Sequence, residues 1–432
     1  AKELTAKNVE LWWTANFGSK QRQYEMLVTV TVKGSSRSSS SSSSSRSSGP
    51  SSSLTTNVGF RTFEFVGAVD NNASTTSTST STSKPKWPLH MKLNNVSFFA
   101  RGFNWMPVDV LPLPDDSDQT AMTTQLLEDA ASIGATTIRI WGGGLYESDA
   151  FYSTADRLGL IVLQDGSFFG SYPDSEDFKA LVRAEMWGVA RRIGAHVSLV
   201  MWSGNNESPV YGNEDLFVAT QLATVQEAIP DMFVYPSNPS YGWSSLHPLV
   251  PRPKTTDLTI PHDTHTYLSC GDTADGAMFV SEFGWPSAPI LSSYQTVIPK
   301  DELYLNAPFQ DYRSTIKNPL WATESQPNNG TTLAATFPLL LNGTGQVALE
   351  RWLYLTQALQ STCLTRSVER YRQSPQVMGT LMWSLGEIWT APAWSSIQHD
   401  GQWKMLHYQA RRLFEDVHVS FVRNSTSSAL SS

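Results

Sequence analysis

From Phe98 onward the chain alternates short apolar runs with longer segments of helical period, eight times over. The runs are FFARGFNWMP, TTIRIW, LIVLQD, VSLVMW, MFVYPS, THTYL, MFVSEF and VMGTLMWSL. Between them TQLLEDAASIG, DAFYSTADRLG, DFKALVRAEMWGVARRIG, LFVATQLATVQEAI and the stretch from Val347 to Arg372 read as helices, and MLHYQARRLF closes the series. In DFKALVRAEMWGVARRIG, Phe178, Leu181, Val182, Val189 and Ile193 fall on one face. Strands alternating with helices imply a parallel sheet. Eight such units suggest an α/β fold of the (β/α)8 TIM barrel type over residues 96–418, with its active groups on the loops after the strand C-termini.

Residues 1–95 behave differently. VELWW, QYEMLVTVTV and VGFRTFEFVG alternate as strands do. Two Ser/Thr-rich inserts, 35–53 and 71–84, hold nothing to bury and read as flexible low-complexity tracts. Without them a few antiparallel strands remain, too few to close a sandwich, so a truncated immunoglobulin-like β-sandwich segment is expected here. Residues 419–432 read as a polar tail, the start of a missing C-terminal region. The chain opens AKELTAKNVE and closes STSSALSS, with neither an initiating Met nor a signal peptide; these look like the ends of an excerpt or processed product.

A length of 432 residues leaves room for two or three domains of roughly 100–200 residues each. The net charge is -8, and no dense Lys/Arg stripe exists to meet a phosphate backbone, which argues against nucleic acid as a partner. No apolar run is long enough to span a membrane as a helix. Two cysteines, Cys270 and Cys363, are too few for a disulfide scaffold. Asn72, Asn95, Asn329, Asn342 and Asn424 each begin an Asn-x-Ser/Thr acceptor, which fits passage through a secretory route.

The fourth strand run continues as VSLVMWSGNNESP, from buried apolar residues straight into Asn206 and Glu207. Taken alone, that is an ordinary strand-to-helix turn, with Asn206 tolerating unusual backbone angles and Glu207 facing water. The other strand ends change its weight. Asn104 and Trp105 follow the first, Trp141 and three glycines the second, and Gln164 and Asp165 the third. The sixth carries His265 and Tyr267, the seventh Glu282, and the eighth Trp383, Glu387 and Trp389. Each has a bland alternative: Trp141 and Trp383 as core, His265 and Tyr267 as strand caps, Asp165 as a ligand of a rim amide, Glu282 as the partner of an arginine. Jointly they converge on one mouth. No phosphate-cradling glycine pattern, zinc spacing or nucleophile elbow is present, so neither a cofactor nor a metal is expected.

Two carboxylates across a barrel mouth can cleave a glycosidic bond. At about 5–5.5 Å apart, one attacks the anomeric carbon while the other protonates the departing oxygen. The second must hold a proton near neutrality, so its pKa must be raised. An amide beside it can bind the sugar 2-hydroxyl, and indoles can line the pocket. Glu207 and Glu282, with Asn206, thus read as the site of a retaining glycosidase.

The motifs reached so far resemble those of the β-mannosidases of glycoside hydrolase family 2, especially the animal lysosomal type. The resemblance runs through FRTFEF, RGFNWMPVDVLP, IRIWGGGLYESDAFYSTADRLGLIVLQD, MWSGNNE, FVSEFGWPS, YLTQALQSTC and GTLMWSLGEIWTAPAWSSIQHDGQWKMLHYQARR. It implies Glu207 as acid/base and Glu282 as nucleophile. It also implies Asn206 and Trp141 as sugar contacts in the -1 subsite, Tyr267 as the residue that orients the nucleophile, and Trp383 as pocket lining. Asp165, His265 and Trp389 complete the expected substrate-binding set. YESDAFY looks like the exo-acting form, so removal of terminal β-linked mannose from oligosaccharides or glycoprotein glycans is implied, with a lysosomal or secretory location. Cys270 and Cys363 fall where the lysosomal type carries cysteines, their pairing left open.

Two motifs depart from the family pattern. Leu163-Gln164-Asp165-Gly166 stands where Trp-Gln-Asp-Phe is usual, and Ser384-Leu385-Gly386-Glu387 where Gln-Leu-Asn-Asp is usual. The family plan also has a leading jelly-roll-like domain that helps close the pocket, so a chain of this extent is expected to fold yet turn over poorly. Other readings are another family 2 glycosidase (a β-galactosidase, β-glucuronidase or endo-β-mannosidase) and a catalytically silent carbohydrate-binding protein. Comparative rates on aryl glycosides, and binding without turnover, would separate them.

Overall fold

The computed structural model describes residues 7–15, 21–31, 51–66, 90–109, 111, 116–208, 210, 213–239, 263–267, 270, 277–305, 307–313 and 345–421. The eight expected strands are all present: Ala100–Trp105, Thr137–Ile140, Ile161–Asp165, Leu199–Ser203, Phe233–Tyr235, Asp263–Thr266, Phe279–Phe283 and Gly379–Met382. Every ladder among them is parallel, and their lateral order is fifth, fourth, third, second, first, eighth, seventh, sixth. That cyclic order is the curled sheet of a TIM-barrel-like α/β fold. At the seam between the fifth and sixth strands the Tyr235 hydroxyl donates to Asp263 Oδ2 at 2.5 Å, and Ser281 Oγ donates to the same oxygen at 2.9 Å.

The helices that wrap the sheet follow the expected segments: Asp116–Ser132, Asp149–Leu158, Glu176–Ile193, Gly345–Gln373 and Met405–Leu413. In Glu176–Ile193 the buried stripe is Val182, Met186, Ala190 and Ile193; Leu181, one step off that stripe, is 67% exposed. Four-residue spacing from Val182 selects Met186 and Ala190, which the simple apolar count passed over. After the fourth strand the chain forms a π-helix, Asp215–Leu222, that runs on as α-helix to Ala228. The π-turn carries Gln221 under the ends of the third and fourth strands, where a Cβ at Gly166 would lie 1.9 Å from its Nε2. Gln221 therefore occupies the space that any side chain at position 166 would need.

Ahead of the barrel lie a two-stranded antiparallel ladder, Tyr24–Thr31 with Ser51–Val58, and a three-stranded antiparallel sheet of Phe63–Val66, His90–Leu93 and Val96–Phe98. Ser51, Ser52 and Ser53, expected in a flexible insert, are instead the first residues of a paired strand. The insert at 71–84 lies outside the described residues. Asn94 and Asn95, both at positive φ (49° and 67°), make the two-residue turn between the last two strands, the backbone a type I′ hairpin demands. This places the exposed Asn95 at a hairpin tip. Trp12, Phe65, Met91, Leu93 and Phe98 pack with Ile161, Val197, Phe279 and Met378, closing the end of the barrel where strands begin. Arg61 donates to the Val197 and Leu199 carbonyls, and Trp12 Nε1 to that of Asp156.

Candidate active site

With the strand-start end plugged, the opposite mouth gathers the polar side chains. At its centre is Arg139, in the middle of the second strand and fully buried. A buried guanidinium is tolerated only when paired, and this one is saturated. Nη1 donates to Asn104 Oδ1 at 2.6 Å and to Glu282 Oε2 at 2.8 Å. Nη2 donates to Asp165 Oδ2 and to Asn206 Oδ1, both at 2.6 Å. Burial works against its charge, but Asp165 and Glu282 more than offset that and hold its pKa above the ordinary value. The first, second, third and seventh strands, with the loop after the fourth, are thereby tied to one group.

Glu282, 6% exposed, accepts from the Tyr267 hydroxyl at 2.6 Å through Oε1, while Oε2 takes the Arg139 bond. Burial, then the Glu282 charge, raise the Tyr267 phenol well above its usual pKa, so it remains a donor. Glu207 differs in every respect. Its side chain is 43% exposed, its backbone takes the left-handed region at φ 50°, and its N–H donates to the Asn238 carbonyl at 2.9 Å. A non-glycine residue there costs roughly 1–2 kcal/mol. The strained position in the fourth-strand loop is thus Glu207 itself and not Asn206, and the strain aims its carboxyl into the mouth. Partial burial raises the Glu207 pKa, with Arg139 pulling the other way. Glu207 Oε1 lies 2.7 Å from His265 Nδ1, which is 3.6 Å from Glu282 Oε2. One oxygen of each carboxyl and a ring nitrogen of His265 lie within 4.8 Å of one another. Burial lowers the His265 pKa to about 3, so the ring stays neutral.

Over the two carboxyls opens a cavity of about 420 Å³ lined by Trp141, Phe169, Asn206, Tyr267, Trp383 and Trp394 among others. That is within the roughly 300–1,000 Å³ of small-molecule sites. Trp141 stands edge-on to Trp383, ring centroids 5.1 Å apart. Its other side borders a second cavity of about 710 Å³ toward Asp109, Glu147 and Arg192, which touches neither Glu207 nor Glu282.

Of the residues singled out from sequence, Trp141, Asn206, Glu207, Tyr267, Glu282 and Trp383 line the smaller cavity. His265 sits behind it against Glu207. Asp165 is fully buried and spends its oxygens on Arg139 and the Gly142 N–H, so it anchors the arginine and does not face the cavity. Trp389 lies outside this set, under the Arg313 guanidinium; Trp394 takes the place beside Tyr267. Glu387 is drawn into a buried group with Lys404 and Ser395, away from the cavity. Arg139, Asn238 and Trp394 were not anticipated. Cys270 and Cys363 form a disulfide that ties the segment after Tyr267 to the long helix Gly345–Gln373.

No protein-family model matches the chain. The chain is 31% identical over 446 aligned positions to the β-mannosidase of Capra hircus, 30% over 439 to that of Bos taurus, and 27% over 473 to β-mannosidase A of Emericella nidulans. These alignments cover 94%, 94% and 98% of the chain but 46%, 46% and 47% of the relatives, so it spans about half the length of the curated proteins it matches. The crystal structure of β-D-mannosidase from Dictyoglomus thermophilum superimposes with a TM-score of 0.70 at 23% identity, over 98% of this chain and 48% of that one. The Amycolatopsis orientalis exo-chitosanase CsxA superimposes at 0.65 and 17% identity, over 95% and 45%. Over nearly its whole length the chain is similar in sequence to about half of a full-length β-mannosidase, and it shares the fold of the solved β-D-mannosidase.

Proposed function

We propose that this chain carries the catalytic barrel of a retaining exo-β-mannosidase that removes terminal non-reducing β-D-mannose from oligosaccharides. One observation carries the reading: Glu207 and Glu282 face each other with oxygens within 4.8 Å, in environments that separate their roles. That spacing favours direct attack over a water held between the carboxyls, which needs roughly 6.5–9.5 Å. Glu282, held by Arg139 and Tyr267, attacks the anomeric carbon. Glu207, its pKa raised by partial burial, gives its proton to the departing oxygen. A glycosyl ester on Glu282 results. Glu207, now a carboxylate, takes a proton from water as that water attacks the same carbon from the vacated side. Mannose leaves with its configuration retained, and both carboxyls return to their starting states.

Asn206 commits Oδ1 to Arg139, so its amide hydrogens are what it offers the sugar 2-hydroxyl. Trp141 and Trp383 wall one side of the cavity, which favours a chain end over a polysaccharide passing through. The antiparallel strands ahead of the barrel are read as the close of an immunoglobulin-like sandwich, with residues 96–418 as the catalytic unit. A disulfide fits an oxidising compartment, in line with a lysosomal or secretory location. The test is hydrolysis of 4-nitrophenyl β-mannoside, β-glucoside and β-galactoside by this protein. NMR of the first-formed product should show β-mannose. Preference for another sugar overturns the substrate, and α-mannose as first product overturns the retaining mechanism.

A further inference from the structure

Asn238 lies three residues beyond the end of the fifth strand and is fully buried. Its amide oxygen is 2.7 Å from His265 Nε2, and the other ring nitrogen, Nδ1, is 2.7 Å from Glu207 Oε1. A neutral imidazole carries one hydrogen. If Nε2–H donates to the amide oxygen, Nδ1 presents a lone pair. A 2.7 Å contact between that lone pair and a carboxyl oxygen then requires a proton between them.

We propose that Asn238 is a positioning residue that fixes the tautomer of His265, making the imidazole an acceptor toward Glu207, so that the pair holds the proton destined for the departing oxygen. The inference rests on the reading of Glu207 as the acid and adds the residue that loads it. Asn238 is itself held: its N–H donates to the Asn205 carbonyl and its own carbonyl accepts the Glu207 N–H, both at 2.9 Å. One residue therefore sets the strained backbone of the acid and the hydrogen of the ring beside it.

The charged groups facing this pair act in opposite senses, and Arg139 also works against the proton on Glu207. Glu282 Oε2, 3.6 Å from Nδ1, is already satisfied by Arg139, and Glu282 Oε1 by Tyr267, so neither oxygen needs a hydrogen from the ring. Burial disfavours a second proton on His265 and outweighs the Glu282 charge, which favours one; the Arg139 charge adds to the effect of burial. When glycosylation transfers the Glu207 proton to the glycosidic oxygen, the new carboxylate faces the bare Nδ1. That repulsion is relieved when Glu207 takes a proton from the attacking water. The same tautomer thus keeps the acid loaded to higher pH and strengthens the base step.

Without the amide oxygen, the ring can move its hydrogen to Nδ1 and donate to a Glu207 carboxylate, with no extra proton bound. The test has two readouts on the protein. Long-range 1H–15N spectra of histidine-labelled protein, with His265 assigned by its loss in His265→Gln, should show Nε2 protonated and Nδ1 accepting; Asn238→Ala should move the hydrogen to Nδ1. In kcat/KM for a poor-leaving-group aryl β-mannoside, Asn238→Ala should shift the alkaline limb down by about one pH unit, roughly a tenfold loss at high pH, and leave the acid limb in place. A resting Nδ1–H tautomer overturns the proposal, as does a uniform loss of rate with no shift of the limb. If Glu207→Gln leaves the rate intact, the acid assignment itself has failed, a separate outcome that the resting tautomer does not affect.

Discussion

Arg139 donates to Glu282 at 2.8 Å from a side chain with no solvent exposure, and the same guanidinium also holds Asn104, Asp165 and Asn206. The carboxylate read as nucleophile is therefore not a surface acid but one arm of a buried network that four strands and a loop depend on.

Removing the hub should cost both stability and rate. Arg139→Met leaves Asp165 and Glu282 buried without their cation, which typically costs about 3–5 kcal/mol. A fall of that size in denaturant unfolding is expected, with loss of turnover. Arg139→Lys should recover little of either, since an ammonium cannot reproduce the planar fork that meets four acceptors. Near-native stability in Arg139→Met would show the network to be dispensable.

Tyr267→Phe removes one hydrogen bond to a charged group and leaves the ring in place beside Trp394. Such bonds contribute about 1.5–3 kcal/mol, so kcat/KM should drop roughly 10- to 150-fold. Thermal unfolding of the variant should stay close to that of the parent. An unchanged kcat/KM would remove Tyr267 from the machinery.

Glu207→Ala should slow hydrolysis of unactivated aryl mannosides by about 10²–10⁴ and spare those with dinitrophenolate leaving groups, which depart without a proton. Azide should restore turnover and yield β-mannosyl azide, because Glu282 still forms the ester. Equal losses on both kinds of substrate would argue against Glu207 as the acid.

Acid should weaken the fold through His407. Burial depresses its pKa to about 3, between Phe103, on which it stacks, and Ser396 Oγ. For a histidine whose folded pKa is lowered, stability is full above the unfolded value near 6.5 and is lost as pH falls toward 3. At pH 5 the cost is about 2 kcal/mol. His407→Phe should flatten that part of the stability-against-pH curve, measured by urea unfolding from pH 7 to 5. An unchanged slope would exclude His407 as a source.

The barrel was legible because its signal is periodic. Eight apolar runs and the helices between them needed only the difference between two repeat lengths, and the strands appear where the runs are. Arg139 was passed over because a lone arginine in TTIRIW looks incidental; period-two alternation puts it on the face of Thr137 and Trp141, and a fully buried strand obliges such a charge to find acids. Asn238 carried no such mark. Its role depends on where the fifth and sixth strands place a backbone carbonyl and an imidazole, which no local pattern encodes. Trp389 and Trp394 share one loop, and composition cannot choose which indole turns inward. Gln221 beside Gly166 shows a glycine's space being filled by a side chain 55 positions later, legible only once both are in space.

The central assignment, Glu282 as nucleophile opposite Glu207, is tested most directly by intact mass of the protein after incubation with 2-deoxy-2-fluoro-β-mannosyl fluoride. The gluco and galacto counterparts serve as controls. The predicted result is one fluoromannosyl group per chain, on the peptide that carries Glu282, absent from Glu282→Gln and slower with the other two sugars. A label on any other residue, or none on a folded protein that hydrolyses aryl β-mannosides, would contradict it.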